Sequence, residues 1–194
     1  MLKTPGIKLI LASGLLTLTA CSAPRTQVQE TKEEVSALAQ KMNRLNQQTV
    51  KLTQQNTLNA QSKQGVYLLP AAKAPAQLES QIGDLTLRLD NIIAYGTGTK
   101  ATLTITGDSI RPLPAFSGEI VWGEIQGTIE DYREVNTHTR TISEAASVLV
   151  PSDIVIQLDM PDIAPAQLGF VRIHDIVPTD PDFKPAARSP FGKH

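Results

Sequence analysis

The sequence predicts a mainly β protein: an immunoglobulin-like β-sandwich preceded by a signal peptide and an N-terminal helix of coiled-coil type. Three observations carry this expectation. Apolar residues alternate with polar ones at period two between Val66 and Val177. They recur at heptad spacing between Gln27 and Asn59. Ahead of both, a basic start and a short apolar run end at Cys21, the only cysteine in 194 residues.

In chain order, Lys3 and Lys8 form the basic start, and no acid precedes Cys21. Leu9 to Ala20 (LILASGLLTLTA) is apolar apart from small hydroxyl residues and Gly14. The run falls short of the roughly 20 apolar residues a membrane-spanning helix needs. It follows the plan of a secretory signal, assigned to 1–20. Leu18-Thr19-Ala20-Cys21 then resembles the lipobox of bacterial lipoproteins. The resemblance implies a diacylglyceryl group on the Cys21 sulfur, cleavage after Ala20 and acylation of the new amine. Lipoprotein processing and sorting machinery would carry out these steps. Two lipid signals already anchor a protein stably, at roughly 0.8 kcal/mol per buried CH₂, so three chains would hold it permanently. Ser22 stands where an Asp would retain an enteric lipoprotein in the inner membrane. The implied address is the periplasmic face of the outer membrane. The other reading is a cleaved signal that leaves Cys21 as a spare thiol, a liability in an exported protein.

Residues 21–26 form a short lipidated linker, and 27–59 a helical stalk. With Val28 as position a, the a positions are Val28, Val35, Met42, Thr49 and Asn56; the d positions are Thr31, Leu38, Leu45, Leu52 and Asn59. This seam is apolar from Val35 to Leu45 and fades to polar at both ends. The e and g positions carry little complementary charge, so partner choice is weakly specified. A homo-oligomer through the helix and a single solvated stalk both fit. At about 1.5 Å per residue the rod approaches 50 Å. A rod on a lipid anchor is similar to the major outer-membrane lipoprotein joined to peptidoglycan through a C-terminal lysine. Here Lys193 is penultimate, which argues against that linkage.

Residues 60–65 read as a linker and 66–177 as the β domain. Leu85, Leu87 and Leu89 alternate with Thr86, Arg88 and Asp90; Leu103 and Ile105 with Thr102, Thr104 and Thr106; Ile154, Ile156 and Leu158 with Asp153, Val155 and Gln157. Each is a half-buried strand. Tyr95-Gly96-Thr97-Gly98-Thr99 reads as a hairpin connection, its glycines supplying positive φ. Further strands are expected at Val66–Leu69, Gly118–Ile125, His138–Ile142 and Phe170–Ile176. About seven strands in this length suit an immunoglobulin-like sandwich, with a small barrel as the competing fold. Ala74–Ile82 (APAQLESQI) reads as a short helical stretch. A fragment from Gly65 to Val177 is expected to fold alone. Residues 178–194, with Pro181, Pro185 and Pro190, read as a disordered tail.

The stretches "GVYLLPAAKAPAQLESQIG", "PLPAFSGEI", "SVLVPSD" and "QLGFVRIHDI" resemble the YajI-like lipoproteins of enteric bacteria. The resemblance covers the lipobox, the coil and the strand-rich domain to about Val177. It implies a lipoprotein and brings no catalytic residues with it.

The residues themselves point to no chemistry. The chain carries 18 basic and 19 acidic side chains with 4% aromatics. Loss of Lys3 and Lys8 with the signal leaves a net charge near −3, without the basic footprint of a nucleic-acid binder. No second cysteine is available for a disulfide or zinc cluster, and no cofactor is expected. His174 precedes Asp175, but adjacent strand residues face opposite sides, so Asp175 is not expected to orient it. Glu119 and Glu124 face opposite sides for the same reason. Asp153, Asp159 and Asp162 lack the oxygen spacing of a calcium loop. "YGTGTK" has no helix behind its glycines to cradle a phosphate. In "RPLPAFSGEIVWG", Pro112 and Pro114 stiffen a loop before Phe116 and Trp122. Either both aromatics serve the core, or Pro114 and Phe116 form an exposed apolar platform for a partner. The expected work is binding or scaffolding toward an envelope protein or peptidoglycan. An envelope hydrolase with a site assembled from loops, and a structural spacer, are the alternatives.

Overall fold

The computed structural model describes residues 25–107, 111–128, 131–148, 150 and 152–184. The expected signal peptide, Cys21 and residues 185–194 lie outside them. The chain divides into two compact units, Met1–Met42 and Asn43–His194. The described part of the first belongs to helix α1 (Arg25–Gln61). Val35, Leu38 and Met42 are all exposed there, Leu38 by 64%.

Among the described residues, the second unit holds the rest of α1 and eight strands: β1 (Val66–Leu68), β2 (Ala76–Ser80), β3 (Gly83–Tyr95), β4 (Gly98–Thr106), β5 (Phe116–Gly127), β6 (Tyr132–Glu144), β7 (Asp153–Met160) and β8 (Phe170–Pro178). They form two antiparallel four-stranded sheets, ordered β1-β8-β5-β6 and β2-β3-β4-β7. The expected sandwich forms, mainly β with an N-terminal helix. Its alternating strands supply the core from both sheets: Leu85, Leu87, Leu103, Ile105 and Met160 from one, Phe116, Ile120, Trp122 and Ile173 from the other.

Two elements differ from the sequence reading. Ala74–Ile82 contributes a strand, β2, and no helix; Leu78 pairs with Leu85 and Ala76 with Leu87. So short a segment is marginal as a helix, and a hairpin partner decides its state. Gly83 at φ +121 closes that hairpin. The expected tail is ordered at its start. Thr179 N–H donates to the Ala115 carbonyl (3.0 Å), and Phe183 is half-buried against the core.

The boundary between stalk and β domain also falls elsewhere. α1 continues through 60 and 61, and its last turns belong to the β domain. Leu58 is fully buried in a second apolar cluster with Tyr67, Leu69, Ala72, Val121 and Phe170, on the outer face of the β1-β8-β5-β6 sheet. Gly65, at φ +76, turns the chain from α1 into β1. A Cβ there would lie 2.0 Å from the Ile173 carbonyl oxygen, so only glycine fits.

Candidate functional site

β1 is an edge strand, and an edge strand presents unpaired N–H and C=O groups. Two amides from α1 satisfy them. Asn59 Nδ2 donates to the Tyr67 carbonyl (3.0 Å), while Tyr67 N–H donates to Asn59 Oδ1 (2.7 Å). Asn59 thereby pairs with β1 as a strand residue would. Four residues earlier, one helical turn away, fully buried Gln55 accepts from Leu69 N–H (2.8 Å). Its Nε2 donates to the Ala74 and Pro75 carbonyls (3.3 Å each).

Leu45 and Leu52 remain exposed in the second unit. Docking the helix end therefore leaves both leucines uncovered.

Below the helix end lies a polar network. Tyr67 donates its hydroxyl to Glu134 Oε1 (2.5 Å) and meets the Tyr132 hydroxyl at 3.3 Å. Arg172 Nη2 donates to Glu134 Oε2 (3.2 Å). Burial, first of all, and the bond to Glu134 push the Tyr67 hydroxyl well above the ordinary tyrosine range. It stays a hydrogen-bond donor to Glu134 near neutrality.

An open groove of about 780 Å³ runs along the same end of the domain, between Lys51 and Gln54 of α1, the 69–73 loop and the 165–169 loop. It falls within the roughly 300–1,000 Å³ usual for ligand sites.

The residues singled out in sequence fare differently. Phe116 is fully buried, so it offers a partner nothing. Pro114 is half-buried in a loop tied down on both sides. Leu113 N–H donates to Ser152 Oγ (3.1 Å), and its carbonyl accepts from Ser147 N–H (2.9 Å). The apolar platform does not form. Trp122 joins the core, with His138 stacked against it at 5.7 Å. Asp153 accepts from the Thr106 hydroxyl (2.7 Å), and Asp159 pairs with Lys100 (3.4 Å).

His174 contradicts the strand-parity expectation. Its Nδ1 stands 2.8 Å from Asp175 Oδ2. The cause is a β-bulge: the β5–β8 register shifts between Ser117 and Glu119, and Asp175 takes φ +51. A bulged residue leaves the alternation, so neighbours in sequence can share a side. Glu119 faces the other ring nitrogen, with Oε2 at 3.8 Å from Nε2. Sequence reasoning missed this because nothing in "VRIHDI" announces the bulge.

The comparisons with known proteins agree with this architecture. Residues 21–187 match the family described as a protein of unknown function (DUF3251). The chain is 52% identical over 177 residues to the uncharacterized lipoprotein YajI of Escherichia coli (strain K12), covering 91% of this chain and 98% of the relative. The solution NMR structure of that lipoprotein matches with a TM-score of 0.66, covering 76% of this chain and 85% of the other.

Proposed function

The chain belongs to the DUF3251 family, and from that membership we propose that it is an outer-membrane lipoprotein, anchored by lipid on Cys21 and facing the periplasm. Its work is to scaffold or bind within the cell envelope, without catalysis. The lipobox ending at Cys21 and the lipoprotein name of its 52% identical relative support the anchor. Ser22 in place of Asp supports the outer-membrane address.

The observation that carries the scaffolding role is the exposed stripe of Val35, Leu38, Met42 and Leu45. Its heptad spacing suits a second copy of the same helix. In solution so short a seam is weak. Lipid anchoring confines the copies and raises their effective concentration, so association belongs to the anchored state.

The test is disulfide crosslinking of a single cysteine placed beside Leu45, compared between anchored protein and a Cys21→Ser form. Crosslinks are expected only in the anchored protein and should fall with Leu38→Asn. Equal crosslinking in both forms rejects the role of anchoring, and none in either rejects self-association. Palmitate labelling of Cys21→Ser at the parent level would remove the anchor itself.

A further inference from the structure

The side chain of His174 is only 13% exposed, yet it has a carboxylate at each ring nitrogen. A carboxylate only accepts hydrogen bonds, so the 2.8 Å contact with Asp175 places a proton on Nδ1. In the neutral ring, Nε2 then carries the free lone pair. That nitrogen looks toward Glu119 Oε2 across 3.8 Å.

The gap is too long for a hydrogen bond. Glu119 is nearly half exposed, so its side chain has the freedom to turn toward Nε2. The spacing suits two donors sharing one cation. With metal–ligand bonds of roughly 2.0–2.2 Å, neighbouring ligands of a tetrahedral ion stand about 3.4 Å apart. Small rotations of Glu119 cover the difference. One ligand atom from each of Glu119, His174 and Asp175 lies within 4.8 Å of the others.

We infer that Glu119 and His174 Nε2 form a binding site for a divalent transition-metal ion such as Zn²⁺, with Asp175 orienting the imidazole. A carboxylate on the far ring nitrogen is how metal-binding histidines are held in one tautomer and made more basic. The imidazole donor selects zinc-like ions over magnesium and calcium, which prefer all-oxygen sites. Two protein ligands leave the remaining positions to water or to an incoming ligand. The fold builds this arrangement at two points. The bulge at Asp175 turns its carboxylate back to the ring. The turn at Gly65 presses on the base of the histidine, where a Cβ would come within 2.5 Å of the His174 Cβ. The site is independent of helix self-association, and neither inference needs the other.

The test is calorimetric titration of the full, chelator-stripped chain in detergent with Zn²⁺. One ion per chain is expected. His174→Gln and Glu119→Gln should each weaken binding at least tenfold. Asp175→Asn should keep the stoichiometry and weaken binding by about 10- to 100-fold, while His138→Gln should change nothing. In ¹⁵N NMR of the parent chain, zinc should shift the His174 Nε2 resonance and leave Nδ1 protonated. The inference is overturned if the parent takes up no zinc, if His174→Gln binds as the parent does, or if Nδ1 is the nitrogen that shifts. In the first case the three residues are a surface ion-pair cluster only.

Discussion

The two ends of helix α1 reverse the usual assignment of inside and outside. Toward its start, Val35, Leu38 and Met42 are exposed; toward its finish, Gln55 is fully buried and half-buried Asn59 is hydrogen-bonded to β1. Hydrophobicity alone would have buried the first group and exposed the second. The difference lies in what each end meets. The finish meets a sheet edge whose free backbone groups must be paired, and an amide carries both a donor and an acceptor for that purpose. The start keeps Val35, Leu38 and Met42 exposed. A polar residue in a helix can thus be a core residue when its partner is backbone.

The largest effect should come from removing the finish. A fragment beginning at Asn43 is expected to unfold in denaturant at the same midpoint as the full mature chain. Strand periodicity alone leads to the expectation that a fragment beginning at Gly65 folds by itself; the structure overturns it, because that fragment loses Leu58 and both amides together. That loss approaches the 5–15 kcal/mol total stability of a small domain, so this fragment should be unfolded or aggregated. Equal midpoints for the two fragments would break the comparison.

Single substitutions sharpen it. Leu58→Ala should cost about 2–5 kcal/mol in equilibrium denaturation, as buried leucines do. Leu38→Ala should stay within about 0.5 kcal/mol in a monomeric soluble form. Asn59→Ala leaves a Tyr67 N–H and carbonyl unpaired and should cost about 1–3 kcal/mol. If Asn59→Ala proves as mild as Leu38→Ala, the edge is satisfied by water and the amide clamp is incidental.

The smallest effect concerns pH. The folded pKa of Tyr67 is raised, chiefly by burial and next by its bond to Glu134. A raised pKa contributes stability that is complete below the unfolded value, near 10. That stability is lost as pH rises beyond it, because the unfolded chain releases the proton while the folded chain holds it. Melting temperature should therefore drop above about pH 10, and the drop should be shallower in Tyr67→Phe. An identical alkaline profile in the two proteins would remove Tyr67 from the support under the helix end.

The sequence by itself determined the elements whose signal is local. The heptad of α1, the period-two runs that became β3, β4 and β7, and the Tyr95–Thr99 hairpin all depend on residues a few positions apart. Tertiary structure decided what depends on distant partners. Ala76–Ser80 became a strand because β3 lay beside it. Phe116 went inside because two sheets closed over it. Asn59 became a strand mimic because β1 ended a sheet. His174 met Asp175 because a register shift against β5 broke the alternation of β8. Spacing along a chain fixes which residues share a face, whereas pairing across the sheet sets which faces meet and where a bulge must fall.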